Sequence, residues 1–573
     1  MLELSRYGAT PFAGARLVAW LLCSLSGLAF TQLTACNGAD SSKSDSSPQV
    51  GGGTAMNPDG TLIPTGGAAP TGMPVGGGSG FTQASGGAAG GSGGVSGGIG
   101  GVSGLGGLGG VSGSGGIVAG SGGASGSPNG PPLDGSCAAV PVPVATGGRE
   151  LHVTVTGNDA NANGSAALPY GSLSAAVHSA VAGDTVLVHG GTYALKSAQA
   201  LSPSGHAGSP VTIRAVAGES VIFDGTGVVL GNYDGLIRVS GSYAVIDGFE
   251  VVNSVGGGIQ LVGANQVMVR RCRIHNIAFQ ALGGTGNDIV LQQNEVYDSV
   301  TSNLNGKVDT ANNGSGWSPA VLSFWVSGTT RSKRWTVEGN LIHDNWGECL
   351  DALHLEDSVF RGNVLHDCYS VNLYVDDATA LRLEGNYIYN SSTKYNRAVG
   401  GESAHGIAMG TESVAAPAVL QNITIANNLI LSTGVGILYA RFKGLGYSGI
   451  GIFHNVIADT HNESVWLTAA PTSNGVAQNN VFSKGANNNA VGLNSAGWTL
   501  DHNLWPNGGQ QGTANVIADP QFSAPGKGGT APAGFRSKAG SPALLAGTPL
   551  ASVPNDYACA KRSAVSPSIG IYE

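Results

Sequence analysis

One short unit recurs from about residue 240 onward: an alternating strand, an asparagine, then a second alternating strand. The clearest copies are Val337-Glu338-Gly339-Asn340-Leu341-Ile342-His343-Asp344, Phe360-Arg361-Gly362-Asn363-Val364-Leu365-His366-Asp367 and Leu383-Glu384-Gly385-Asn386-Tyr387-Ile388-Tyr389-Asn390. Asn340, Asn363 and Asn386 are 23 residues apart. Asn294, Asn428, Asn455, Asn480 and Asn503 stand at the same point of weaker copies, and Gly248 and Cys272 hold it earlier. A period near 23 that encloses an apolar period of two is one coil of a β-solenoid. The apolar period is not 3.6, which excludes a helical solenoid. One coil has three short strands and three bends. It cannot bury an apolar face alone, so stacking must supply the core. Two residues past the asparagine, Ile274, Val296, Ile342, Leu365, Ile388, Ile430, Ile457 and Phe482 form a row that points inward. The asparagines can bond one another up the stack and satisfy buried polar groups.

Two steps are long, from 294 to 340 and from 386 to 428. Each is read as one coil with a large loop. Residues 301–318 and 391–404 are polar, rich in Gly, Asn and Ser, and lack alternation. Both follow the asparagine turn and its strand, so both leave the same corner. Loops on a rigid scaffold commonly carry function.

The rest of the chain divides at Cys36 and Cys137. Arg6 and Arg16 precede an apolar run, Leu17 to Phe30, too short to span a bilayer comfortably. Leu33-Thr34-Ala35-Cys36 then resembles a bacterial lipobox, which implies acylation of Cys36. Asn37 in place of Asp implies sorting to the outer membrane. Residues 37–136 are Gly, Ser, Ala and Pro, and 34 of the 95 glycines fall within 51–130. Such a segment gains too little apolar burial to offset its ordering entropy, and it reads as a disordered tether. The expected organisation is a lipoprotein signal over 1–36, a tether over 37–136 and one folded domain over 137–573. The net charge of −9 and the lack of a basic stripe argue against a nucleic-acid partner. Membrane contact is expected through the lipid alone, and the body is expected to be a monomer. Five cysteines remain: Cys137, Cys272, Cys349, Cys368 and Cys559. An odd number leaves at least one thiol unpaired.

Residues 150–193 add a family resemblance. Gly157-Asn158-Asp159, Leu168-Pro169-Tyr170-Gly171-Ser172-Leu173-Ser174-Ala175-Ala176-Val177 and Ala182-Gly183-Asp184-Thr185-Val186-Leu187-Val188-His189-Gly190-Gly191-Thr192-Tyr193 closely resemble the opening of pectate-lyase-like β-helix proteins. There a short helix covers the first coil; here Leu173, Ala176, Val177 and Ala180 would be its apolar stripe. Ser568-Ile569-Gly570-Ile571-Tyr572-Glu573 resembles the closing strand. The expected fold is therefore all-β, a single-stranded right-handed parallel β-helix of about ten coils with a short N-terminal capping helix. The resemblance implies a polysaccharide as substrate or ligand, and a lyase acting on uronate polymers by β-elimination. Such a lyase needs a cation, often calcium, to neutralise the uronate carboxylate, and a base such as Lys, Arg, His or Tyr at the α-proton. The alternatives are a non-catalytic glycan-binding or adhesive lipoprotein and, from its histidines, a metal-handling β-helix.

The richest cluster of ionisable residues is 343–377. Glu348 and Asp351 break the repeat and are the centre of the expected cleft between the two loops. With Asp376 and Asp377 they form a candidate calcium set. His354 is the candidate base, and it falls roughly where the alginate lyase and chondroitinase B group carries a basic residue. Lys394 and Arg397 on the second loop are candidate bases or carboxylate clamps, as is Lys307 on the first. His343, His366 and Tyr389 lie three past the turn and should point outward; with Tyr374 they are candidates for carbohydrate binding. The same stripe reads equally as a solvated strand face, and the Asp/Asn four past the turn as a turn residue. Cys349 and Cys368 sit near one corner of adjacent coils, where a disulfide is plausible. The lysine setting of the most similar lyases is absent, as are most polygalacturonase motifs, so an inverting hydrolase is disfavoured.

Overall fold

The computed structural model describes residues 137–145, 147–311, 317–323, 330–397, 401–411, 419–440, 446–467, 472–473, 475–483, 491–493, 497–508, 512–527 and 531–573. Cys36 and the segment read as a tether lie outside them. The described part is a right-handed parallel β-helix. Each coil contributes a strand to each of three faces, here called the first, second and third sheets in chain order after the corner loops. The first runs through Gly235–Val239, Leu350–Leu353 and Val371–Asp376; the second through Glu150–Val153, Thr185–Val188, Leu355–Arg361 and Thr379–Glu384. Two long strands, Gly257–Arg270 and Leu282–Gln292, bend from the first sheet into the second. The third sheet has eleven described strands, from Gly191–Ala194 to Val481–Phe482.

Both long steps are single coils. Glu295 pairs directly with Leu341, and Tyr387 with Leu429, so each extra length leaves and rejoins one rung. The row two past the asparagine lies in the core, from Ile274 through Ile388 to Phe482.

The turn between the second and third sheets has a two-residue rule. Its first residue is left-handed, and glycine takes that place at Gly339, Gly362 and Gly385 with φ of 62°, 57° and 63°. Its second is the asparagine. Each amide bonds the next: Nδ2 of Asn294, Asn340, Asn363, Asn386, Asn428, Asn455 and Asn480 donates to Oδ1 of the following asparagine at 2.9–3.0 Å. The backbone N–H of each donates to the same oxygen, so the buried polar groups of the turn are met inside the stack. The residue four past the asparagine is also left-handed at Asp298, Asp344, Asp367 and Asp459. Their recurrence is therefore turn chemistry, since a short polar side chain tolerates that backbone.

The capping helix is Leu173–Ser179. Ser172 accepts the N–H of Ala175, and Leu173, Ala176 and Val177 are buried. The C-terminal segment departs from expectation. Residues 568–573 add no described strand to a sheet; instead Ile569, Ile571 and Tyr572 pack with Val364, Tyr387, Leu429, Val456 and Val481 on the outer face of the third sheet. That outer row is apolar, and the returning tail buries it. Cys349 pairs with Cys368 and Cys137 with Cys559, leaving Cys272 as a buried thiol that burial pushes up to about 12. No helix of the described residues is long and apolar enough to cross a membrane.

Candidate active site at the corner of the third and first sheets

The first sheet alternates in a way that fixes what its outer face carries. Leu350, Ala352, Leu373, Val375, Ile407 and Met409 belong to the core. Asp351 and Tyr374, between them, therefore face outward, in one register row with Ala408. Both are nonetheless covered: Asp351 is 5% exposed and Tyr374 1%. Tyr374 packs with Val371, Ala408, Val435 and Leu438 in a second apolar cluster. Glu348 stands just before Leu350–Leu353, at the corner where the chain arrives from the third sheet, and is 2% exposed. Beside it Gly347 lies so close to the carbonyl of Ser318 that a Cβ would stand 1.9 Å from that oxygen, so the coils meet here only without a side chain.

Both insertions converge on this corner. In the first, Asn303 Oδ1 accepts the N–H groups of Val308 and Asp309, and its Nδ2 donates to the Trp346 carbonyl at 2.8 Å. That places Asp309, fully buried, on the short helix Lys307–Ala311. In the second, Arg397 donates to Asp309 through Nη2 at 3.1 Å and Nε at 3.3 Å, and through Nη1 to Ser370 Oγ at 3.4 Å. Its guanidinium lies 4.9 Å from the Trp317 ring centre, and Tyr369 Oη donates to Asp309 at 2.5 Å. Burial pushes the Glu348 carboxyl up to about 7, and the Arg397 guanidinium and Trp317 indole only partly offset it. Burial, aided by Arg397, drives His405 down to about 4, so it is neutral near pH 7. Its Nδ1 accepts the Val435 N–H at 3.0 Å, which puts the ring proton on Nε2. Lys394 is farther out, bonded to Tyr395 Oη at 2.7 Å, with its ammonium 6.0 Å from the Trp346 ring. Of the residues expected to act together, the fold thus joins Glu348 and Arg397. Asp309, Trp317, Tyr369, Ser370 and His405 are added by folding.

His354 does not join them. It follows the strand Leu350–Leu353 that Glu348 precedes, and a step of six residues separates the two by roughly 20 Å. It lies in a second cluster at the bend from the first sheet to the second. Ser332 pairs with Leu355 and Glu356 with Thr379, so Arg331, His354 and Asp377 occupy one position on three successive coils. All three are buried, and Arg331 Nη1 donates to the Asp377 carbonyl. Burial and the Arg331 charge pull His354 down to about 4, and among the described residues neither ring nitrogen finds a hydrogen-bond partner. Asp376, in register with Leu353, stands beside this column.

Glu348, Asp351, Asp376 and Asp377 thus spread along the strand direction, and among the described residues no three His, Cys, Asp or Glu side chains gather as a cation would require. These acids, so spread, do not fit a calcium cage.

The outward stripe is a ladder on the third sheet, not the first. His275, Tyr297, His343, His366 and Tyr389 stack with centroids 4.6, 5.4, 4.9 and 4.6 Å apart. Their faces are spent on one another, so sugar rings cannot stack on His343, His366 or Tyr389 from within the row. Burial lowers the His343 pKa, but Asp344 at 2.6 Å and Glu295 at 3.6 Å outweigh it and raise it to about 9. A raised histidine stabilises the fold fully below its unfolded value of about 6.5, and that stability is lost as pH rises through about 9. Denaturant midpoints should therefore fall between those two values, and His343→Gln should flatten the fall. A parent midpoint constant across that window would refute the ladder's charge.

The described fold is a right-handed parallel β-helix, and two stretches of the chain match β-helix family models. Residues 151–320 match the family model described as Pel9A-like, right-handed beta helix region, and 322–445 match one described as right-handed beta helix region. Among curated proteins, pectate lyase PEL9 of Emericella nidulans is 41% identical over 76 residues, which is 13% of this chain and 18% of that protein. The match thus spans less than a fifth of that relative. Among solved structures, pectate lyase Pel9A is 16% identical with a TM-score of 0.45, over 75% of this chain and 97% of that one. A rhamnogalacturonan lyase is 17% identical with a TM-score of 0.42, over 65% and 90%.

Proposed function

We propose that the protein is a carbohydrate-active β-helix of the cell envelope, a lyase that cleaves uronate-containing polysaccharides by β-elimination. The observation that carries this reading is the convergence of both insertions on Glu348, where Arg397, held by Asp309, is near enough for its charge to offset part of the burial that raises the carboxyl to about 7. The Arg397 charge is suited to the uronate carboxylate, whose neutralisation acidifies the α-proton. Glu348 takes that proton. The electron pair forms the C4–C5 double bond, the C4–O bond breaks, and the departing oxygen takes a proton from solvent. A base near 7 is about half ionised at neutral pH, where proton transfer is most effective. The local match to a pectate lyase supports a uronate as the sugar class.

Non-catalytic glycan binding is the second reading. It is favoured by the burial of Glu348 and Asp351 and by the engagement of Arg397 with Asp309. The discriminating experiment follows ultraviolet absorbance of unsaturated products on a panel of uronate polymers, in calcium and in chelator. Product growth on any polymer supports the lyase; saturable binding without product supports the second reading. The signal sequence and the two disulfides, which form in oxidising compartments, support display as an outer-membrane lipoprotein acylated at Cys36. Cys36→Ser should release the protein from membranes, and a wild type cleaved elsewhere and soluble would refute the anchor.

A further inference from the structure

The chain does not enter its β-helix at the end. Cys137 is joined to Cys559 on the returning tail, 422 residues away. Residues 138–140 then cross the outer face of the second sheet, over a row formed by Gln292, Glu338 and Arg361. Val140 N donates to Glu338 Oε1 at 2.7 Å, Gln292 Nε2 donates to the Val140 carbonyl at 2.9 Å, and Arg361 Nη2 donates to the Ala138 carbonyl at 3.1 Å. Glu338 is fully buried and paired with Arg361 at 2.6 Å, so this backbone completes the hydrogen bonding of a buried carboxylate.

Only beyond this crossing does the chain reach the first coil. From Val140 to Glu150 there are ten residues, about 33 Å if extended. The second-sheet strand of Glu338 lies six rungs from Glu150–Val153, about 29 Å at the usual strand spacing. The two lengths agree. Val140-Pro141-Val142-Pro143 suits such a run, because proline fixes φ and holds the residue before it extended.

We infer that residues 137–145 are a clasp: the strap and its disulfide attach the N-terminal linker to the middle of the β-helix and route tension on that linker past the first coils. Pulled on residues before Cys137, an unclasped solenoid would peel from its N-terminal cap, one coil after another, since each coil is held only by its neighbours. With the clasp closed, force applied between the linker and the C-terminus passes from Cys137 directly into the tail at Cys559, and the strap over Glu338 bears load only when the disulfide is open. The coils between the two cysteines lie outside its path.

Single-molecule extension of the mature full chain tests this, with one handle on the linker before Cys137 and the other at Glu573. Oxidised, the chain should show no long unfolding step, because the 422 residues between the cysteines are bypassed. In reductant, or as Cys137→Ser, steps totalling about 1,500 Å should appear, at roughly 3.5 Å per residue. An oxidised chain that lengthens as far as the reduced one overturns the clasp. The strap has its own readout. In the Cys137→Ser chain a first short release of about 35 Å should precede the coils, again at about 3.5 Å per residue. Val140→Pro removes the N–H that Glu338 accepts from a segment outside the coils, and should lower the force of that release. An unchanged force would show that the strap takes no part.

Discussion

Glu348→Gln is expected to lower kcat/KM on the responsive uronate polymer by at least about a hundredfold, the usual loss when a general base is removed. The change keeps shape and volume, and the side chain is not part of the inward row, so the fold should persist. The parent should also carry a pH signature. Burial raises the carboxyl to about 7, so the active, ionised form appears only as pH climbs through that value. The linkage has a definite sign. A carboxyl raised above its unfolded value of about 4.5 binds its proton more tightly in the folded state, so stability falls as pH rises from about 4.5 to about 7. The parent should lose stability across the window in which it gains activity, and Glu348→Gln should do neither. Asp351→Asn, on the same outer face, should also reduce turnover while leaving the stability slope in place. Full activity in both variants would move the site, and the buried column of Arg331, His354 and Asp377 would become the first place to look.

The difference between those two clusters marks where the sequence stops being legible. The coil period, the asparagine row, the inward row and the corner that carries both insertions are all visible in it. Each is imposed again on every coil, so the signal accumulates. Cys349 and Cys368 were placed near one corner by the same counting, and they are bonded there. The site is not repeated. Glu348 and His354 are six residues apart and look adjacent on paper, yet an extended strand carries them to opposite ends of one rung. Asp309 sits in a polar loop where nothing distinguishes it from Asn312 or Asn313 until Arg397, 88 residues later, folds onto it. Arg331 carried a readable signal, since 331, 354 and 377 share the 23-residue step, but the masking insertions and the weak local alternation hid the phase. The tail was misjudged for a different reason. Its apolar alternation suits a sheet edge and an outer face equally, and only the apolar outer row of Val364, Tyr387 and Leu429 decides between them.

Asn363→Ala should produce a large loss of stability for a single change in the repeat. Its Oδ1 accepts both the backbone N–H of Asn340 at 3.1 Å and the Asn340 amide at 2.9 Å. Its Nδ2 donates to the Val337 carbonyl at 2.9 Å and to Asn386 Oδ1 at 3.0 Å. The Asn340 amide keeps a second acceptor in the Leu291 carbonyl, and Asn386 Oδ1 keeps the Asn363 N–H. The Asn340 N–H and the Val337 carbonyl lose their amide partners in a turn closed to water. The Val337 carbonyl keeps its ladder bond from Arg361, so the Asn340 N–H is the buried group left unmet, and the expected cost is about 1–3 kcal/mol. The damage should stay local in space, because a solenoid transmits stress only between neighbouring rungs. Hydrogen exchange should therefore accelerate most at Asn340 and in the strands Leu341–Asn345 and Val364–Cys368, with the capping helix Leu173–Ser179 close to its parent rate. Asn503→Ala is the internal control. It stands near the end of the row and likewise accepts the N–H and the amide of Asn480, each at 3.0 Å, so its cost should be similar but its effect confined to the last coils. A loss below about 0.5 kcal/mol in Asn363→Ala, the range of an ordinary surface change, would mean that water replaces the lost amide and that apolar stacking alone holds the coils in register.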